Sequence, residues 1–185
     1  MVGTELRTER LLLRQWKVAD LAPFAELNAD PEVTEYLQGP MSRAHSNRMV
    51  DRISDSFTWR GYGLWAVEVI DGPKFIGYVG LWDAFFDAPF TPAVEVGWRL
   101  ARDAWGHGYA TEGAHAAVAF GFGKIGLPEI VSFTAAGNQR SRAVMERIGM
   151  TRDVSGDFDH PLVPEGSPLR RHVLYRLSAE SFAKT

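Results

Sequence analysis

The chain has 185 residues, 45% of them hydrophobic, and a formal net charge of −3. That length predicts a single domain over residues 1–185 with enough apolar material for a sizeable core. The weak negative charge argues against nucleic-acid binding, which normally leaves a basic footprint. The sequence has no cysteine, which excludes disulfides, thiolate metal ligands and a cysteine nucleophile. The charged N-terminus and the lack of ~18 consecutive apolar residues predict a cytoplasmic protein without a membrane span.

The first sixty residues indicate one strand followed by helices. Asp30–Pro31 is a typical helix start, because aspartate caps the first turn and proline fits the first helical position. A serine at position 42 is likewise a good cap for the helical pattern that follows it. The predicted elements are a strand within 5–14, a helix from Asp20, a short helix from Asp30 to Gly39–Pro40, and a helix from Ser42 to about Trp59.

The rest of the chain changes to β-rich runs that alternate with helical patterns. Asp71–Gly72–Pro73 separates two apolar runs and indicates a hairpin turn. The predicted elements are strands at Leu64–Ile70, Phe75–Trp82, Val94–Leu100, Glu129–Ala136 and Arg171–Leu177, helices over 110–125 and Asn138–Arg147, and a loop over 155–168. This order predicts one α/β (α+β) domain around a mixed sheet.

A glycine-rich segment, RDAWGHGYATEG at Arg102–Gly113, joins a predicted strand to a predicted helix. A helix N-terminus offers unpaired N–H groups and a partial positive charge, and glycines let a phosphate approach the backbone. A pyrophosphate is the natural occupant. No lysine follows the glycines, which excludes a Walker loop, and Gly113 stands too late for the dinucleotide fingerprint. A tight turn built on Gly106 and Gly108 remains the alternative.

Two motifs carry a family resemblance. WGHGYATEG resembles the acyl-CoA-binding signature of the GNAT N-acetyltransferases, [QR]-x-x-G-x-[GA], with Gly106 and Gly108 at the small positions and Asp103 where Gln or Arg is usual. Its fuller form resembles the Rim branch, the ribosomal-protein N-acetyltransferases. The segment Asn138–Met150 (NQRSRAVMERIGM) is similar to a second motif of that branch.

The resemblance implies a mostly antiparallel, twisted sheet of about six to seven strands. It implies acetyl-CoA as cosubstrate and a primary amine, on a protein N-terminus or a small molecule, as acceptor. It also implies a monomer or homodimer. The loop N–H groups would bind the pyrophosphate, and strand Trp98–Leu100 would pair with the pantetheine arm. The implied coenzyme A contacts are Trp98, Arg99, Leu100, Trp105, Gly106, His107, Gly108, Tyr109, Ala110, Thr111, Asn138, Ser141 and Arg147.

Acetyl transfer from a thioester needs a neutral amine and a stabilised leaving thiolate, but no covalent intermediate. Ser141 shares a helix face with Asn138 and is the candidate donor to the leaving sulfur, with a solvent-facing serine as the alternative. Glu95 is the leading candidate base, because the apolar residues around it in the strand would raise its pKa. Pairing with Arg99, four residues along on the same face, is its alternative role.

Other groups are weaker candidates for the base. Glu68 alternates similarly in its own strand, and three further residues lie in the DFDHP loop: Asp157, Asp159 and His160. None of the five histidines has credible metal-binding spacing, so we predict no metal. A non-catalytic acyl-CoA-binding module is the competing function.

Overall fold

The computed structural model describes residues 4–184, and these form one open eight-stranded sheet flanked by helices. Residues 1–3 of the predicted charged N-terminus and residue 185 lie outside the described residues. The elements are β1 (Leu6–Arg7), β2 (Leu11–Arg14), α1 (Leu21–Ala29), α2 (Arg43–Arg60), β3 (Leu64–Val69), β4 (Gly77–Asp83), β5 (Val94–Leu100), α3 (Tyr109–Phe120), β6 (Glu129–Ala135), α4 (Gln139–Arg147), β7 (Thr151–Asp159), β8 (Arg171–Ser178) and α5 (Ala179–Phe182).

The strand order is β1-β2-β3-β4-β5-β6-β8-β7, and every neighbouring pair is antiparallel except β5 and β6. That mixed, mostly antiparallel α/β architecture confirms the predicted fold class, with eight strands instead of six to seven. The parallel pair β5–β6 is in register only at Glu95 and Val131. The Ser132 hydroxyl of β6 donates a hydrogen bond to the Val96 carbonyl of β5 at 2.9 Å, beside the point where the two strands separate. The sheet therefore splits beyond Glu95.

Helices cover the sheet through aromatic contacts. Trp65 of β3 is fully buried and makes edge contacts with Phe57 of α2 and Phe120 of α3, both at 5.3 Å between ring centroids. Helix α3 packs on β4 and β5, and α1 packs on α2. Ser42 caps α2 as predicted, with its hydroxyl accepting from the N–H of His45. No helix within residues 4–184 is both long and apolar enough to cross a bilayer.

Three predicted elements differ from the structure. The opening strand is a hairpin of two short strands, β1 and β2. The short helix from Asp30 is a series of turns, because Asp30 and Thr34 make local side-chain hydrogen bonds that compete with the helical pattern. The predicted loop over 155–168 begins only at His160, because residues 151–159 form β7. That edge strand is mostly exposed and bulges between Asp153 and Phe158, so it lacks a clear apolar alternation.

Candidate active site

A cavity of about 1050 Å³ opens where β5 and β6 separate. It is bounded by β5, the glycine-rich loop, the first turn of α3, and α4. The predicted coenzyme A contacts that line it are Trp98, Arg99, Leu100, Trp105, Gly106, Gly108, Tyr109, Ala110, Thr111, Asn138, Ser141 and Arg147. His107 is the exception: it does not line the cavity, and its ring stacks on Tyr109 at 5.4 Å.

The glycine-rich loop presents its backbone to this cavity. Gly106 and Gly108 both have φ of 81°, in the left-handed region that favours glycine. The first hydrogen bond of α3 runs from the Glu112 N–H to the Gly108 carbonyl at 3.0 Å. The preceding N–H groups, from Gly108 to Thr111, therefore have no acceptor among the residues that the structure describes. This is the arrangement that binds anions at a helix N-terminus.

Glu112 fixes the loop in place from the opposite side. Its carboxylate accepts from the Thr8 hydroxyl at 2.6 Å and from the Arg10 N–H at 2.9 Å, and it pairs with the Arg10 guanidinium at 2.6 Å. Burial raises the pKa of Glu112, but the hydrogen bonds from Thr8 and Arg10 outweigh that effect and lower it. Arg10 also donates to the His107 carbonyl at 2.9 Å. The β1–β2 turn and the loop are thus joined by a contact that the sequence analysis did not identify.

The cavity carries more positive than negative side chains. Its lining includes four arginines and two glutamates, and it includes no lysine or aspartate. The Trp105 ring contacts two guanidiniums, of Arg102 at 4.9 Å and of Arg140 at 4.5 Å from its centroid. A polyanionic ligand is therefore favoured at the mouth of the loop. The four arginines of the lining are Arg10, Arg99, Arg140 and Arg147.

Strand β5 offers a free edge to the same cavity. On one side, residues 97–100 pair with β4, from Gly97 opposite Gly80 to Leu100 opposite Gly77. On the other side, β6 has left the register after Glu95. An extended amide-bearing ligand can add to such an edge as a further strand.

Helix α4 places Asn138 and Ser141 on the cavity wall. The Asn138 carboxamide is engaged in the fold: its oxygen accepts from the Ser141 N–H at 3.2 Å and its nitrogen donates to Thr134 at 2.9 Å. It is therefore a helix N-cap that also borders the cavity. The Ser141 hydroxyl has no hydrogen-bond partner within residues 4–184, so it is available to a ligand.

Glu95 lies between this cavity and a second one of about 640 Å³. Only Glu95 and Phe133, of the described residues, line both. Burial raises the pKa of Glu95 to about 8. The alternative pairing with Arg99 is wrong, because the Arg99 guanidinium turns to Asn28 at 2.5 Å and lies 5.6 Å from the Tyr78 ring. Glu95 makes no ion pair or side-chain hydrogen bond with the residues described.

The other candidate bases are occupied elsewhere or differently placed. Glu68 pairs with Arg14 at 2.9 Å and with Lys74 at 3.0 Å. Asp157 and Asp159 form ion pairs with arginines and line neither cavity. His160 lines the second cavity, and burial, with a smaller effect of His172, lowers its pKa to about 4. Residues 4–184 contain no group of three or more side chains suited to a metal ion.

Comparison with known proteins agrees with this geometry. Residues 10–151 match the acetyltransferase (GNAT) domain family. The uncharacterized protein YkkB of Bacillus subtilis is 30% identical over 80% of this chain and 85% of its own. An acetyltransferase structure from Agrobacterium tumefaciens is 30% identical, covers 94% of each chain and has a TM-score of 0.75.

The fold is also shared with a coenzyme A complex. The ribosomal-protein N-acetyltransferase RimL, solved with coenzyme A, has a TM-score of 0.74 at 17% identity and covers 96% of this chain and 99% of its own. The family match spans far more than half of the sequence and includes the glycine-rich loop. This chain therefore belongs to the GNAT acetyltransferase family and is an acetyl-CoA-dependent acyltransferase.

Proposed function

We propose that this protein transfers the acetyl group of acetyl-CoA directly to a primary amine, with Glu95 as general base. The observation that carries the proposal is the position of Glu95 between two cavities, one beside the glycine-rich loop and one on the far side of the sheet split. A donor held in the first cavity and an acceptor held in the second would meet at this carboxylate. Holding two reactants in contact is itself a large part of such catalysis.

The residues of the larger cavity fit acetyl-CoA. Gly106 and Gly108 open the backbone to a pyrophosphate, and the N–H groups up to Thr111 are unpaired within the described chain. The four lining arginines suit a ligand that carries several phosphate charges. The free edge of β5 over residues 97–100 suits the amides of the pantetheine arm. In this arrangement the thioester lies toward Glu95.

Each polar residue beside the thioester has a role in the transfer. The amine nitrogen bonds to the acetyl carbon, the carbon–sulfur bond breaks, and coenzyme A leaves as the thiol. Glu95 accepts a proton from the amine, and a pKa of about 8 suits a base that works near neutral pH. The Ser141 hydroxyl, which has no partner among the described residues, donates a hydrogen bond to the departing sulfur, and the proton that Glu95 takes from the amine ends on the thiol. Cysteine is not needed for any step, in keeping with its absence from the sequence.

In this proposal the acceptor is a primary amine, either of a protein N-terminus or of a small molecule. The resemblance of WGHGYATEG to the Rim branch supports the proposal that the chain is a Rim-type enzyme. We further propose that it acts in the cytoplasm as a monomer or homodimer. A catalytic role is favoured over a binding module because Glu95 and Ser141 both border the cavity.

Glu95→Gln tests the proposal, because it keeps the shape of the side chain and removes the base. We expect the acetylation rate to fall by roughly 10²-fold or more, the usual contribution of a general base. Acetyl-CoA affinity, measured by calorimetry, should remain unchanged. The wild-type kcat/KM should rise with pH through about 8, as Glu95 loses its proton, and the variant should lose that step and keep only the rise that comes from deprotonation of the amine itself.

The matched control is Asp157→Asn, which changes a carboxylate that lines neither cavity. Its rate and pH profile should equal those of the wild type. An unchanged rate in the Glu95→Gln variant, with an intact fold and normal acetyl-CoA binding, would exclude Glu95 as the base.

A further inference from the structure

The rim of the second cavity concentrates the exposed apolar side chains of this protein. Three of them border it: Trp59 is 82% exposed, Phe85 73% and Leu162 66%. They come from the end of α2, the β4–β5 connection and the β7–β8 connection. The only other large hydrophobic side chains so exposed within residues 4–184 are Val18 and Val154. Clustering of such side chains around one cavity indicates a binding site for an apolar group.

The interior of this cavity is also lined by aromatic side chains. Trp82 makes an edge contact with Phe85 at 6.4 Å, and Phe86 contacts Phe133 at 5.4 Å. The His160 ring lies 4.5 Å from Phe86. All of these rings line the cavity. Aromatic faces and edges of this kind pack favourably against another ring or a flat apolar group.

Few charges face the cavity without a partner. Arg60 and Asp83 form an ion pair at 2.9 Å, and Asp83 also accepts from the Tyr62 hydroxyl. Asp55 makes no ion pair with any residue that the structure describes. It lies on the helical stripe of α2 that includes Trp59, four residues along. Arg52, which also lines the cavity, likewise makes no ion pair within the described chain, so these two exposed charges offset each other and the amine is drawn to Glu95 at the inner end.

Strand β5 offers this cavity no free edge for an extended peptide. At Glu95, β5 pairs on one side with Trp82 of β4 and on the other with Val131 of β6. No edge of β5 is therefore free at Glu95, and the edge of β4 that is unpaired with β3 beyond Gly80 is too short to hold an extended peptide by strand addition. The volume of about 640 Å³ is that of a small-molecule site. The free edge of β5 faces the larger cavity instead.

We infer that the acceptor is a small primary amine carried on an aromatic or similarly flat apolar group, held by Trp59 and Phe85. The inference rests on the proposed function and narrows its acceptor. The ammonium end lies toward Glu95, where it loses its proton and gains the acetyl group. The apolar body extends outward between the side chains of the rim. The product is a neutral amide.

The test compares three kinds of acceptor in a coenzyme A release assay with acetyl-CoA. The probes are 2-phenylethylamine, ethanolamine and an unblocked tripeptide. Since burying a phenyl group is worth tenfold or more in affinity, we expect kcat/KM for 2-phenylethylamine to exceed that of either other probe by roughly tenfold or more. Calorimetry of acetyl-CoA binding is run in parallel.

Variants of the rim locate the effect. Trp59→Ala and Phe85→Ala should each raise the KM for 2-phenylethylamine by roughly tenfold, because each removes an aromatic contact. The kcat and the KM for acetyl-CoA should change little. Val154→Ala is the matched control, since Val154 is 68% exposed and does not line the cavity. It should behave as the wild type.

The outcomes separate this inference from the function on which it rests. Efficient acetylation of ethanolamine or the tripeptide, with no preference for 2-phenylethylamine, overturns the inference and leaves the proposed function intact. So do rim variants that match Val154→Ala. If acetyl-CoA binds but no amine releases coenzyme A, the proposed function fails and the inference fails with it.

Discussion

Glu95 occupies a place that disfavours its charge, and its contribution to stability follows from that. Because burial raises its pKa from 4.5 to about 8, the folded protein holds this proton more tightly than the unfolded chain between those values. The free energy of unfolding therefore falls as pH rises through that window. From this shift alone, Glu95→Gln should be more stable than the wild type by on the order of 4 kcal/mol at pH 8 and by less than about 1 kcal/mol near pH 5. Urea denaturation at the two pH values measures the difference.

Glu68→Gln is the matched comparison, with the opposite sign. Hydrogen bonds from Arg14 and then Lys74 lower the pKa of Glu68, and Arg14 is almost fully buried. Its stabilising effect is present above the unfolded pKa and is lost as pH falls. The Gln variant should be less stable than the wild type at pH 7, and the gap should narrow toward acid. A Glu95→Gln variant that is also less stable at pH 8 would mean that Glu95 has a stabilising partner.

The sequence identified Glu95 but not its surroundings. Strand alternation among apolar residues was enough to predict a raised pKa. The position of Arg99 was not predictable, because its partner Asn28 is 71 residues away and is brought close only by the fold. The same holds for Arg10, which reaches Glu112 across 102 residues. Local sequence patterns predict which side chains are buried. Contacts between side chains that are distant in the sequence depend on the order of the elements in the fold.

At the scale of elements, the loop and the start of α3 act as one unit. Gly108 has φ of 81° and lines the larger cavity. Gly108→Val should abolish acetyl-CoA binding in calorimetry, because a β-branched residue does not readily adopt this φ and its Cβ would lie 3.4 Å from the Arg10 guanidinium, crowding the loop where its N–H groups face the cavity. A residue other than glycine in this conformation also costs about 1–2 kcal/mol of stability. Gly149→Val is the control, since Gly149 has φ of 86° but does not line the cavity. It should lose similar stability and keep its affinity, and unchanged affinity in Gly108→Val would mean that the loop is only a turn.

The elements differed in how well sequence predicted them. The β5 strand was predicted with its observed ends, because its apolar alternation is complete. The edge strand β7 was not predicted, because an exposed edge strand needs no apolar face. The strand is also interrupted by a bulge, in which the Gly156 N–H donates to the Asp153 carboxylate. The turns after Asp30 were taken for a helix, because the same capping residues serve both.

At the scale of the molecule, the two cavities exist because the sheet splits at one register position. Strands β5 and β6 are joined through α3, so their pairing is set by tertiary packing and not by a local turn. The splitting was therefore not predicted from the sequence, and the family resemblance implied only that strand Trp98–Leu100 pairs with the pantetheine arm. The larger cavity takes lining residues from Arg10 near the start of the chain to Arg147 on α4. It forms only when these distant segments are brought together by the fold.

That dependence predicts the effect of acetyl-CoA on stability. A ligand that binds only the folded state adds roughly 2.7 kcal/mol at a concentration one hundred times its dissociation constant. For a chain of this length the melting temperature should rise by roughly 5–10 °C. Thermal melts with acetyl-CoA at that excess, after calorimetry has fixed the constant, measure the shift. Gly108→Val should show none, whereas Gly149→Val should show the full shift from a lower starting temperature. If the wild type does not shift either, the cavity beside the glycine-rich loop is not the donor site, since binding confined to the folded state must raise its stability.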